Sequence, residues 1–174
     1  ITVSGDNPLL VFTFEDSRMN HSQFSDFGGI LTADNTLYFA SARDESKKKY
    51  GWNNQPFLNV YAATYVSDEE KFKDIKPVDE LNTKHHDGPT TVTADGQTMF
   101  FATESFRGGK YEKDKKNRLK KGKVSVYRAK YSGKKWKDIE PVPFNSPDYM
   151  VSNPAVSPDG KTLYFASDMP GTVG

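Results

Sequence analysis

Hydrophobic and polar positions follow one pattern that recurs along the chain. A short polar turn is followed at once by an apolar, aromatic run. The clearest copy is Ser157-Pro158-Asp159-Gly160-Lys161-Thr162-Leu163-Tyr164-Phe165-Ala166-Ser167. A second is Thr93-Ala94-Asp95-Gly96-Gln97-Thr98-Met99-Phe100-Phe101-Ala102-Thr103, and a third, one residue shorter, is Thr32-Ala33-Asp34-Asn35-Thr36-Leu37-Tyr38-Phe39-Ala40-Ser41. The central aromatics Phe39, Phe101 and Phe165 are spaced by 62 and then 64 residues. Each run is too short for a helix and rich in aromatics, so it predicts a strand. It is apolar on both faces, as expected of a strand covered on both sides. Asp-Gly supplies a residue tolerant of positive φ for a tight hairpin, and Asn35 takes that place in the first copy.

The repeat extends on either side. A lead-in of Met19-Asn20 then Asp26-Phe27-Gly28 is matched by Leu81-Asn82 then Asp87-Gly88-Pro89, and by Phe144-Asn145 then Ser152-Asn153-Pro154. Downstream, Val60-Tyr61-Ala62-Ala63 matches Val126-Tyr127-Arg128-Ala129. Phe72-Lys73-Asp74-Ile75-Lys76-Pro77-Val78 matches Trp136-Lys137-Asp138-Ile139-Glu140-Pro141-Val142. Each unit therefore predicts four strands, A to D. Strand A covers 29–32, 90–93 and 154–157; strand B is the aromatic run, C carries Val-Tyr, and D ends at a proline suited to a sheet edge. Four-stranded units in fixed phase predict an all-β fold, a β-propeller of antiparallel blades. The expected division is an N-terminal segment 1–18, blades at 19–80 and 81–143, and a partial blade at 144–174. Two and a half blades imply a piece of a longer propeller. Residues 9–16 fit the phase of a closing D strand or of a linker.

The surplus length sits in the B–C connections, 43–57 and 104–123. In a propeller these share one face with the D–A connections, which makes that face the expected home of function. Charge sharpens the expectation. The chain has 174 residues and a net charge of +1, yet Arg43 to Tyr50 carries +2 and Lys110 to Lys123 carries +6, leaving −7 elsewhere. Such lysine-rich hairpins either keep an exposed edge soluble or dock an acidic partner. The candidate partner-binding residues are Lys47, Lys48, Lys49, Trp52, Asn53 and Asn54 in the first loop. In the second they are Lys113, Lys115, Lys116, Arg118, Lys120 and Lys121.

Nothing in the repeat reads as catalytic. There is no Cys, which excludes disulfides and thiolate metal sites. The Asp-Gly turns lack the spacing and the Trp of a sialidase Asp box, and no carboxylate pair is singled out for glycoside hydrolysis. His85-His86 beside Asp87 suits loop packing better than metal binding. Tyr111 and Trp52 are too sparse for a single-strand nucleic-acid platform. No apolar run is long enough for a membrane span, and residues 1–16 lack signal-peptide character. The expectation is a protein without enzymatic activity, cofactor or metal.

The wording of several stretches is more specific. The 157–167 phrase resembles the WD-like repeat of TolB-type propellers. Ser25-Asp26-Phe27-Gly28 leading to Phe39-Ala40-Ser41-Ala42-Arg43-Asp44, Trp52-Asn53-Asn54-Gln55-Pro56-Phe57-Leu58, and Ser167-Asp168-Met169-Pro170-Gly171-Thr172 resemble the propeller of OmpA-family, PorE-like proteins of Bacteroidota. The resemblance covers about 19–174. It implies a periplasmic, outer-membrane-associated scaffold whose partners are envelope proteins, outer-membrane or type IX secretion and gliding components. Peptidoglycan would be bound only through a domain outside these residues, and no nucleic acid is implied. The segment 103–106 and the very basic 110–123 loop depart from the pattern. The alternative is the propeller domain of a prolyl-oligopeptidase-type or other hydrolase, which a downstream Gly-x-Ser-x-Gly would favour.

Overall fold

The computed structural model describes residues 23–51, 53–116 and 119–171. The proposed N-terminal closing strand, the Met19-Asn20 lead-in, Trp52, Arg118 and Thr172 lie outside the described residues. Within them the fold is all-β. Four strands, β1 (Asp26–Leu31), β2 (Thr36–Ser41), β3 (Asn59–Val66) and β4 (Lys71–Pro77), form one antiparallel sheet in chain order. The second sheet repeats it with β5 (Asp87–Val92), β6 (Thr98–Glu104), β9 (Val124–Tyr131) and β10 (Trp136–Pro141). Between β6 and β9 the chain makes a short hairpin, β7 (Glu112–Asp114) and β8 (Leu119–Lys121). The third unit contributes one hairpin, β11 (Val151–Val156) with β12 (Leu163–Ser167). Among the described residues none of the sheets closes on itself.

Successive sheets lie face to face, with β5 against β1, β2 and β3, and β11 against β5, β6 and β9. The pleat sends alternate residues to opposite faces. In the first sheet Tyr38, Val60 and Ala62 face forward and meet Val92, Met99, Phe101, Ala129 and Trp136 of the second sheet. Leu37, Phe39, Tyr61 and Ala63 pack on the opposite face. The second sheet repeats the split: Phe101 and Ala129 point back, while Phe100 and Val126 point on toward Val151 and Phe165. This is why the first two aromatic runs are apolar on both faces; in the third, Phe165 packs inward while Tyr164 is 63% exposed, so that run is covered on one face among the described residues.

The hairpin turns are built as the residues foretell. Asn35, Gly96 and Gly160 hold φ of 63°, 69° and 69°. Asp34, Asp95 and Asp159 each accept a hydroxyl bond of 2.5 Å, from Thr32, Thr93 and Ser157. That bond is the main reason all three carboxyls sit below the usual aspartate range.

The strand A ranges need correction. Each A strand begins three residues earlier than its pattern suggests, because the lead-in joins the ladder through a bulge. The bulges fall at Gly28, Gly88 and Asn153, with φ of 66°, 99° and 48°. At two of them the neighbouring sheet comes very close. A Cβ on Gly28 would meet Pro89 Cβ at 2.6 Å, and one on Gly88 would meet Ala40 Cβ at 2.7 Å. The repeated Asp74 and Asp138 are also bulge residues, with φ of 54° and 50°, in the edge strands β4 and β10. Asp is among the side chains that tolerate this conformation best.

Candidate docking face

Two devices recur where strands leave the core toward the long loops. The first is the lead-in asparagine. Asn82 Oδ1 accepts from Val60 N (2.7 Å) and its Nδ2 donates to Val60 O (2.9 Å). Asn145 brackets Val126 in the same way, at 3.0 and 2.6 Å. One side chain thus satisfies both backbone groups of a buried strand residue and pins each D–A connection to the strand after the B–C loop.

The second device is an Asp–Arg pair under the loops. In the first sheet Arg43 Nη2 donates to Asp26 Oδ1 (3.0 Å) and its Nε to Ser41 Oγ (2.8 Å), while the guanidinium covers the rings of Phe39 and Tyr61. In the second, Arg107 Nη2 lies 3.4 Å from Asp87 Oδ1 and also donates to Leu81 O, with its guanidinium over Phe101 and Tyr127. Asp87 is fully buried. It accepts from Thr103 Oγ1 (2.6 Å), Thr83 N (2.5 Å) and Thr83 Oγ1 (2.9 Å), which compensates its loss of water. The Asp87–Arg107 pair is not visible in the sequence. A 3-10 turn, Ser105–Gly108, places Arg107 four residues beyond Thr103, whereas Arg43 is two beyond Ser41. The segment that reads as divergent keeps the same arginine by a longer route.

The first long loop folds as a tight hairpin. Tyr50 N donates to Gln55 O (2.7 Å), Asn54 N to Tyr50 O (2.8 Å) and Phe57 N to Lys48 O (3.0 Å). Asn53 Oδ1 accepts from Gln55 N and Asn54 takes φ of 56°, so both asparagines build the turn. Gln55 Oε1 accepts from Ser25 N, tying the hairpin to the start of β1. Lys47 turns inward. Its Nζ donates to Asn59 Oδ1, Thr83 O (2.6 Å), His85 O (3.2 Å) and Leu58 O (3.5 Å). Burial holds its ammonium below the usual lysine range, against the pull of Asp87 and Asp44. Lys48 and Lys49 are exposed.

His85 and His86 are absorbed between the loops. His86 Nδ1 accepts from Leu58 N (3.1 Å), and its ring lies 4.4 Å from Phe57 and 5.2 Å from Tyr50. His85 stacks on Phe106 at 4.3 Å, and Phe106 stacks on Tyr111 at 5.6 Å. Lys120 Nζ caps the series 4.5 Å above Tyr111. The two long loops thus meet through one aromatic series. Burial lowers the affinity of both imidazoles for a proton, and nearby lysines add to it. His85 Nδ1 is 3.4 Å from Glu104 Oε2, yet burial pushes the Glu104 carboxyl up. Desolvation outweighs mutual attraction in this pair.

The second loop is different in character. Lys113, Lys115, Lys116, Lys120 and Lys121 are exposed on or beside the β7–β8 hairpin. Beyond it, a groove of about 810 Å³ runs between the base of the loop and the segment 145–148. Arg107, Lys110, Tyr111, Lys121, Lys123 and Tyr127 line one side, with Ile139 and Pro141 also in its wall. Lys123 Nζ reaches across it to Asp148 O at 2.6 Å.

Among the described residues, no group of three or more His, Cys, Asp or Glu is arranged to hold a metal ion, and no helix is long and apolar enough to cross a membrane. No protein-family model, no curated protein and no solved structure matches the chain.

Proposed function

We propose that the chain is part of a β-propeller that acts as a non-catalytic docking scaffold of the cell envelope, and that its loop face receives a protein partner. The observation that carries this reading is the repeated joining of B–C and D–A connections at one end of the sheets, by Asn82 and Lys47 in one unit and by Asn145 and Lys123 in the next. Rigid sheets that pin their longest and most basic loops together present one surface, and such loops carry recognition. The propeller assignment is supported by two four-stranded sheets that repeat one strand order and whose aromatic strands pack on both faces. Placement at the outer membrane, in secretion or gliding machinery, is supported by the stretches quoted above from 25–44, 52–58 and 167–172.

Site-specific photocrosslinking in cells that make the full-length protein tests it. A crosslinker at Lys48 or Lys116, on the loop face, is expected to give a discrete adduct. One at Gln97 or Lys134, in the A–B and C–D turns, is expected to give none. Adducts of equal yield from both ends, or none from the loop face, would overturn the reading.

A further inference from the structure

We infer that the groove between the second sheet's long loop and the segment 145–148 is a binding site for an extended acidic peptide segment of the partner. This rests on the docking reading above and names the chemistry of what docks. The molecule itself shows how such a groove is filled. At the first junction a hairpin of this chain lies over the corresponding lead-in, with Lys47 on the carbonyls of Thr83 and His85 and Phe57 against His86. The two junctions correspond closely: His85 N donates to Thr83 Oγ1 (3.1 Å) just as Asp148 N donates to Ser146 Oγ (3.1 Å). At the second junction Phe106 is turned away from the groove: it stacks on His85, and a Cβ on Gly122 would lie 2.7 Å from its ring, so the loop's base is fitted to that side and Tyr111, stacked on Phe106, is left in the groove wall. What remains is an open groove of about 810 Å³.

Its lining selects the occupant. Lys110, Lys121 and Lys123 outnumber the acidic Glu112 and Asp148 in the lining, while Arg107, also in the wall, is already paired with the buried Asp87. The hairpin above adds Lys113, Lys115 and Lys116. This is a local positive field on a chain that is negative outside its long loops, the arrangement that steers a negatively charged segment to one place. Tyr111, Tyr127, Ile139 and Pro141 supply apolar surface beside the charges. Carboxylates on an extended strand, interleaved with apolar side chains, match both; a uniformly charged polymer such as a sulfated polysaccharide or single-stranded nucleic acid matches only the charge.

Fluorescence anisotropy with a labelled Asp/Glu-rich peptide containing Leu and Tyr, on the full-length protein, tests this. The expected result is saturable binding that Lys110→Glu with Lys121→Glu weakens by about tenfold or more, while Lys134→Glu with Lys135→Glu at the opposite turn leaves it unchanged. Thermal melts of both variants check that the fold persists. No binding, equal weakening by both pairs, or tighter binding of heparin or single-stranded DNA than of the peptide would overturn the inference. Failure here alongside loop-face crosslinks would leave the docking reading standing and place the partner elsewhere on that face. Peptide binding without any loop-face crosslink would do the reverse.

Discussion

The two junctions between successive sheets share a framework and differ in what fills them. At both, a lead-in asparagine grips a valine near the start of strand C, Val60 or Val126, and a lysine from the long loop bonds a lead-in carbonyl. At the first, Lys47 has four acceptors and two histidines sit among aromatic rings. At the second, Lys123 has the Asp148 carbonyl as its acceptor and a groove stays open beside it. One scaffold therefore supports a closed joint and an accessible one, and the choice is made by loop residues rather than by the strands. The same side-chain type, lysine, is structural in one place and surface-facing in another according to how much water it loses.

The largest expected effect tests the buried charge beneath the closed joint. Asp87→Ala removes the acceptor of Thr83 N, Thr83 Oγ1 and Thr103 Oγ1 and leaves Arg107 beside an unfilled site. Breaking such a buried pair costs about 3–5 kcal/mol. Asp26→Ala, whose carboxylate is about 20% exposed, leaves Arg43 able to recruit water and costs about 1.5 kcal/mol. Urea denaturation of the two variants checks the ordering. Equal losses would mean that the two Asp–Arg pairs are equivalent and that burial does not separate them.

Next in size is the lysine comparison. Lys47→Met keeps the stem but strips Thr83 O, His85 O and Asn59 Oδ1 of their donor, at a cost of about 2 kcal/mol. Lys123→Met loses one solvent-exposed bond and shifts stability by less than about 0.5 kcal/mol. Denaturation midpoints for the pair test whether the first joint is in fact the tighter. Gly122→Val follows at about 1–2 kcal/mol, because its new Cβ meets the Phe106 ring and pushes it off His85. Near-UV circular dichroism would report the unstacking.

The framework was far more legible than the filling. Turns such as Asp95-Gly96 and Asp159-Gly160 announce their own geometry, because few residue types accept that backbone and their side chains bond locally. Double-sided strands such as Leu37-Tyr38-Phe39 are equally plain, since burial on both faces explains them, although Leu163-Tyr164-Phe165 shows the same pattern with Tyr164 exposed. The bulges were legible only in part. Gly28 and Gly88 fall in lead-ins that the pattern sets before strand A although they lie inside strands, and Asp74 and Asp138 look like ordinary edge-strand polar residues. Arg107 stayed hidden because a two-residue detour breaks the spacing that marks Arg43. Lys47, Lys48 and Lys49 are chemically identical in the sequence. Only the position of the Thr83 and His85 carbonyls, set by a lead-in more than thirty residues away, selects Lys47 for burial.

The smallest expected effect is also the one that most cleanly separates the joints, because both described histidines belong to the closed one. His85 and His86 bind protons less readily in the folded chain than their usual value near 6.5, chiefly through burial. The unfolded chain therefore takes up protons first as pH falls, and stability present above that value is lost below it. Glu104 has the opposite sign. Its raised carboxyl contributes stability that is lost as pH rises through its folded value, so acidification partly offsets the histidine loss. The turn aspartates, held below the usual range, act only at lower pH and leave this window clear. Stability is thus expected to decline modestly from pH 7.5 toward 5.5, about the range in which free imidazole titrates. In His86→Asn the amide Oδ1 can still accept from Leu58 N without titrating, so the slope should flatten. An unchanged slope would show that His86 is not the group that loosens the closed joint. The open groove has no histidine in its lining, so acidic-peptide binding there should keep its affinity across the same range, and a loss in step with the first joint would show that the two joints are coupled.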